Sequence, residues 1–119
     1  MLRKAGYRIV AQGYRDRGGE IDLIAIDPSG PRGGLIVFAE VKTLGSSLPG
    51  HPADRVDAAK QQRLTAAALR FLKQQKMLEQ RARFDVIAVW WPDRSAAEPQ
   101  RIEHYRDAFP ASGVDSFFS

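Results

Sequence analysis

The sequence contains no cysteine. Disulfides, thiolate metal sites and cysteine nucleophiles are therefore excluded. Histidine is scarce: His51 and His104 are the only two, one in a loop and one on a predicted edge strand. Neither has a partner at metal-ligand spacing, and both read as surface residues. No apolar run is long enough to span a bilayer, the longest being strand-sized, so no membrane partner is expected. The opening MLRKAGYRIV carries charge but no apolar centre, so no secretion signal is expected and a cytoplasmic location is the default. No Gly-rich phosphate loop ending in Lys-Ser or Lys-Thr occurs, and Gly33-Gly34 reads as hairpin-turn material.

What is present is ordinary for a globular chain. The length of 119 residues suits one domain with a single core. Apolar residues make up 44% and charged residues 27%, so a packed core is affordable without disorder. The net charge is +4, with a pI near 9.8, which favours a polyanionic partner without requiring one.

Read along the chain, YRIVAQGY (7–14) is a strand bracketed by Gly6 and Gly13. Residues 15–19 turn into a second strand, 20–27, and a polar PSGPRGG linker leads to a third, 35–42. That third strand is apolar on both alternating faces, as expected of a central strand. After a Gly/Ser/Pro loop a helix is predicted from Pro52 or Asp54 to about Gln80. Val56, Leu64, Ala68, Phe71 and Leu72 form its stripe, with a break allowed between Gln74 and Glu79. From Arg55 to Arg83 there are eight Lys or Arg against two acids, the most basic segment of the chain. FDVIAVWW (84–91) is a fourth strand and 101–106 a short edge strand. The order βββαβ, with a further strand allowed, implies an α/β (α+β) fold: a mixed four- to five-stranded sheet with one main long helix. Residues 1–108 read as a single domain; the order of the tail 109–119 is left open, although Phe117 and Phe118 could dock on the body.

The chemistry concentrates in GEIDLIAID and LIVFAEVK. In an antiparallel hairpin centred near Pro31, Asp22 falls opposite Glu40. Glu20 and Asp22 share one face, as do Glu40 and Lys42, because side chains alternate. Whether the register unites all four is open at this level. Two adjoining carboxylates repel unless a cation lies between them. A hard ion such as Mg²⁺ or Mn²⁺ would find three oxygens in Asp22, Glu40 and the backbone carbonyl of Val41. Lys42 could hold an attacking water or stabilise a pentavalent transition state. That set fits metal-assisted hydrolysis of a phosphodiester.

The segment from Gly6 to Val89 resembles the YraN family of uncharacterised bacterial proteins. The resemblance rests on GYRIV, YRDRGGEIDLIA, VFAEVKT, DAAKQQRL and RFDVIAV. That family looks like a member of the restriction-endonuclease-like PD-(D/E)xK superfamily, near the Holliday-junction resolvases. The resemblance implies an endonuclease-like core, with Asp22 and Glu40 as the motif's acids and Lys42 as its lysine. It implies Mg²⁺ as cofactor, nucleic acid (DNA first) as partner, and a homodimer as a frequent assembly. Relatives carry a preceding helix whose Glu completes the metal site; this sequence opens at the first strand, and Glu20 is the candidate to stand in. Leu44 occupies a position where relatives tend to have Arg.

Each candidate also has a plainer reading. Asp22, Glu40 and Lys42 could be a salt-bridged strand end, which hairpin logic alone favours; the resemblance favours a metal site. Arg15, Arg17, Lys60 and Arg63 could bind phosphates or be solvated charge. Trp90 and Trp91 could stack on bases, but strand-end tryptophans more often cap a core. Three functions are therefore compared: a Mg²⁺-dependent nuclease, a nucleic-acid-binding protein without cleavage, and a protein-interaction module.

Overall fold

The computed structural model describes residues 2, 5–16, 19–29, 34–44, 57–77, 80–93 and 95–110. The elements are β1 (Arg8–Asp16), β2 (Gly19–Asp27), β3 (Leu35–Leu44), α1 (Ala58–Gln74), β4 (Ala82–Trp90) and β5 (Arg101–Phe109). They form one five-stranded mixed sheet in spatial order β1-β2-β3-β4-β5. Only β3 and β4 run parallel, and α1 makes the crossover that a parallel pair requires. The α+β architecture is thus βββαββ, with the doubly apolar β3 in the middle as its pattern predicts.

The helix starts later than its periodicity suggests. Asp57 has an extended backbone and caps the first turn, its carboxylate accepting the Lys60 N–H at 2.8 Å. A start near Pro52 or Asp54 is therefore corrected to Ala58; Val56 lies outside the described residues. The end also comes early, in the stretch where a break was allowed. Lys76 takes φ of 57°, its N–H returns to the Lys73 carbonyl and the Met77 N–H to the Leu72 carbonyl. That paired closure satisfies two terminal carbonyls and stops the helix.

α1 buries Leu64, Ala67, Ala68, Phe71 and Leu72 against Ile21, Ile24, Ile36, Phe38 and Phe84 of the sheet. Each fully buried large side chain contributes roughly 1.5–3 kcal/mol, so this layer dominates the stability of the fold. Phe71 meets Phe38 edge-on at 5.9 Å, and Phe84 stacks on Phe109 at 5.0 Å. Phe109 is therefore the last residue of β5, which runs three positions beyond the predicted edge strand. Residues 111–119 lie outside the described residues, Phe117 and Phe118 with them. At the other end of β3, Gly34 is required by close approach: a Cβ there would lie 2.7 Å from Ile26 Cγ2.

The opposite face of the sheet carries a second apolar cluster of Leu2, Tyr7, Ala25, Val37, Ala39 and Ile87. At its end a polar network is inserted. Arg83 donates to both Asp85 oxygens, to Asp27 Oδ2 at 2.8 Å and to the Tyr7 hydroxyl at 2.8 Å. His104 Nε2 lies 2.5 Å from Asp85 Oδ2. The surface reading of His104 is corrected here, since only 12% of its side chain is exposed. β5 bulges opposite Asp85, and the Asp107 N–H released there donates to Asp85 Oδ1 at 2.9 Å. His51 lies outside the described residues.

Candidate functional site

The β2–β3 register pairs Leu23 with Ala39 and Ile24 with Phe38, so the next step sets Asp22 beside Glu40. Beyond the Leu23–Ala39 pair a side chain takes over from the backbone ladder. Asp22 Oδ2 accepts the Val41 N–H at 2.9 Å. A β3 backbone donor is thereby satisfied, and the Asp22 carboxylate is fixed at the same corner as Glu40.

Glu40 is 5% exposed, a burial that a carboxylate tolerates only when paired. Its Oε1 faces two ammoniums, Lys60 Nζ at 2.5 Å and Lys42 Nζ at 3.6 Å. Lys60 reaches it from the first turn of α1. Pairing with Glu40 raises the Lys60 pKa above the ordinary lysine value, burial opposing and the charges of Glu40 and Asp22 assisting.

A cavity of about 150 Å³ opens at this corner, lined by Gly19, Glu20, Asp22, Glu40, Lys60, Arg63 and Leu64. Five of the residues singled out by sequence thus line one space: Glu20, Asp22, Glu40, Lys60 and Arg63. Lys42 joins through its contact with Glu40, and Val41 through its N–H. Arg15 stands at the periphery, opposite Glu20 in the β1–β2 register, with Nε 3.5 Å from Glu20 Oε2. Both of those side chains are exposed, so Glu20 pairs outward as well as lining the cavity. Arg17 lies outside the described residues. Leu44 is buried with Ala88 and Trp90, and the Arg101 guanidinium covers the Trp90 ring at 4.1 Å. Trp90 therefore caps the core, while Trp91 donates from Nε1 to the Ala96 carbonyl.

Lys60 makes a contact that sequence reasoning did not anticipate. It reads there as a phosphate contact or solvated charge; in the structure its ammonium is the nearest partner of Glu40. The available signal was its spacing, because Lys60 precedes the buried Leu64 by four positions and so shares the inward stripe of α1. A lysine on that stripe needs an acid.

Three carboxylates, Glu20, Asp22 and Glu40, line the cavity, oxygen donors of the kind a hard cation takes; Glu20 also pairs outward with Arg15, and Glu40 already holds a cationic group against its oxygen. Among the described residues no group of three or more His, Asp or Glu side chains gathers for a metal. A divalent ion here would hence be held by few protein oxygens and complete its shell with water, the habit of Mg²⁺.

Residues 1–89 match the family model described as "Uncharacterised protein family UPF0102". The chain belongs to the UPF0102 family. A UPF0102 protein of Rhodopirellula baltica is 58% identical over 118 residues, covering 99% of this chain and 68% of that protein. UPF0102 proteins of Trichlorobacter lovleyi and Geotalea daltonii are 44% and 42% identical over 108 residues, 91% of this chain and 80% and 79% of theirs. The family description carries no activity, so chemistry has to be argued from the site. Among the described residues no helix is long and apolar enough to cross a membrane.

Proposed function

We propose that this UPF0102 chain is a Mg²⁺- or Mn²⁺-dependent nuclease that hydrolyses phosphodiester bonds of DNA, branched or structured DNA above all. One observation carries the reading: Asp22 and Glu40 border one cavity with Lys60 and Arg63, while Lys42 lies on Glu40. Asp22, Glu40 and the Val41 carbonyl would hold the ion, with Glu20 as a further oxygen. Once bound, such an ion supplies an activated water and offsets charge on the phosphate.

The chain's own residues do the rest. The Asp22–Val41 hydrogen bond holds one acid in place, so little reorganisation is needed when substrate arrives. The Lys42 ammonium, on a side chain that is 24% exposed, is near enough to orient a water or to stabilise charge developing on phosphate oxygens. Arg15, Arg17, Lys60 and Arg63 would grip the backbone. Such contacts position the strand without reading its sequence. The proposal includes a single endonuclease-like domain over residues 1–108, a cytoplasmic setting and a homodimer.

A second reading is a nucleic-acid-binding protein that keeps the architecture and does not cleave. It is favoured by the Lys60 ammonium on Glu40 and by the small number of acids at the corner. A Mn²⁺ titration followed by cleavage assays on branched, single-stranded and duplex DNA separates the two. Ion-dependent cutting that disappears in Asp22→Ala and Lys42→Ala supports the nuclease. Cutting that persists in both variants sinks the assigned site, and salt-sensitive binding without cutting supports the second reading.

A further inference from the structure

The cavity already contains a cation that belongs to the chain. Lys60 Nζ lies 2.5 Å from Glu40 Oε1, against a carboxylate that is almost wholly buried. The backbone at Lys60 is held by the Asp57 cap, and α1 is anchored one turn on by buried Leu64. The four-carbon stem is not held in this way. A lysine presents a point charge with rotatable donors and no fixed fork, so its ammonium can leave a partner while its backbone stays. About a third of the Lys60 side chain faces solvent, which gives it somewhere to go. Arg63, one turn further along α1, lines the same cavity and is exposed.

We propose that Lys60 is a resident counter-ion that occupies the cation seat on Glu40 until a divalent ion displaces it, and that the displaced ammonium joins Arg63 at the cavity mouth as a phosphate contact. The inference rests on the cation site of the proposed function and adds a coupling to it. Without the ion, Lys42, Lys60 and Arg63 balance Glu20, Asp22 and Glu40. With the ion, the corner would hold excess positive charge unless Lys60 moved away. Ion binding and capture of the phosphate backbone therefore reinforce each other through one side chain.

The test measures Mn²⁺ affinity by calorimetry for the native chain, Lys60→Gln, Lys60→Arg and, as a charge control on the exposed side of α1, Lys73→Gln. Removing the competing charge tightens Mn²⁺ binding about tenfold in Lys60→Gln. Lys60→Arg and Lys73→Gln give no tightening. Duplex DNA labelled with a fluorophore then binds the native chain more tightly with Ca²⁺ than without, and Lys60→Gln loses that gain. A measurement on the native chain guards against a variant that fails to fold. With ¹⁵N-labelled lysine, one ammonium signal protected from exchange disappears when Mg²⁺ is added.

Mn²⁺ binding that is abolished by Asp22→Asn, yet no tighter in Lys60→Gln, overturns the counter-ion alone and leaves the cation site standing. So does a protected ammonium signal that survives saturating Mg²⁺. Absence of Mn²⁺ binding in both the native chain and Lys60→Gln overturns the cation site and this inference together. Binding found only in Lys60→Gln supports the inference in its strongest form, with Lys60 shutting the seat.

Discussion

Arg83 and Asp85 stand two residues apart on β4 and clasp each other, Nε to Oδ1 at 2.8 Å, on the sheet face away from α1. Asp85 is fully buried, and its two oxygens also take His104 and the Asp107 N–H. Arg83 reaches past it to Asp27 and Tyr7. The clasp therefore ties β2, β4, β5 and the segment before β1 at one point. Replacing Asp85 by Ala leaves a largely buried guanidinium short of its main partner. The expected loss is about 3–5 kcal/mol, the cost of breaking a buried ion pair from one side. Urea unfolding of Asp85→Ala should show a midpoint far below that of the native chain; a shift within error would mean that the clasp is dispensable.

The same network sets the acid limit of the fold. Burial alone would push the Asp27 carboxyl up, but hydrogen bonds from Ser29, Arg83 and Tyr7 hold it far below the usual range. Burial likewise opposes, and hydrogen bonds from His104, Arg83 and the Asp107 N–H outweigh it, at Asp85. Both folded values lie below the unfolded one, about 3.9 for an aspartate. The folded chain thus binds fewer protons than the unfolded chain in this window. The stabilisation is fully present above about pH 4–5 and is lost as pH falls through the folded values. Urea midpoints measured from pH 6 down to pH 2.5 should fall steeply, and Asp27→Asn should flatten part of that slope.

How much of this was legible beforehand differs by element. The Asp22–Glu40 juxtaposition follows from hairpin register and strand alternation, because a pairing whose side-chain period is two leaves few registers that bury Ile24 and Phe38 together. The central place of β3 follows from its doubly apolar pattern. The buried clasp was not legible. Arg83, Asp85, Asp27, Tyr7 and His104 are scattered through the chain, and each alone reads as surface or turn polarity. An Arg and an Asp alternating with apolar residues on β4 were the available clue. Long-range partners of this kind are fixed by strand order, which periodicity does not specify. The contact between Lys60 and Glu40 was hidden for a different reason: a basic helix invites the phosphate reading, and the inward position of this one lysine is visible only once the stripe through Leu64 is followed back a turn.

Asp22 should separate activity from stability. Its hydrogen bond to the Val41 N–H lies in an exposed position, where losing one such bond costs about 0.5–1.5 kcal/mol. Asp22→Ala is therefore expected to fold, with a modest fall in melting temperature. On the nuclease reading its cleavage nonetheless drops on the order of a hundredfold or more, as expected when a preorganised charged group is removed from a reacting centre. Circular dichroism melts and single-turnover cleavage on the same preparation check both halves. Parallel losses in folding and cleavage would make Asp22 a structural residue only.

Asp57 offers a test of how the helix start serves the cavity. Its side chain caps α1 by accepting the Lys60 N–H, and the turn it caps carries both Lys60 and Arg63 into the cavity lining. Asp57→Ala removes the acceptor, which costs about 1 kcal/mol in typical caps. The frayed turn would loosen Lys60 and Arg63, the two cations that contact phosphate on the proposed reading, while the core at Leu64 and Phe71 stays packed. Nucleic-acid affinity should fall by more than the global stability loss accounts for, and the slope of log affinity against log salt should shrink by about one phosphate contact. Asp57→Ser, which restores a cap without the charge, should recover stability and affinity together. Recovery of stability alone would mean that the carboxylate, rather than the ordered turn, is what the site needs.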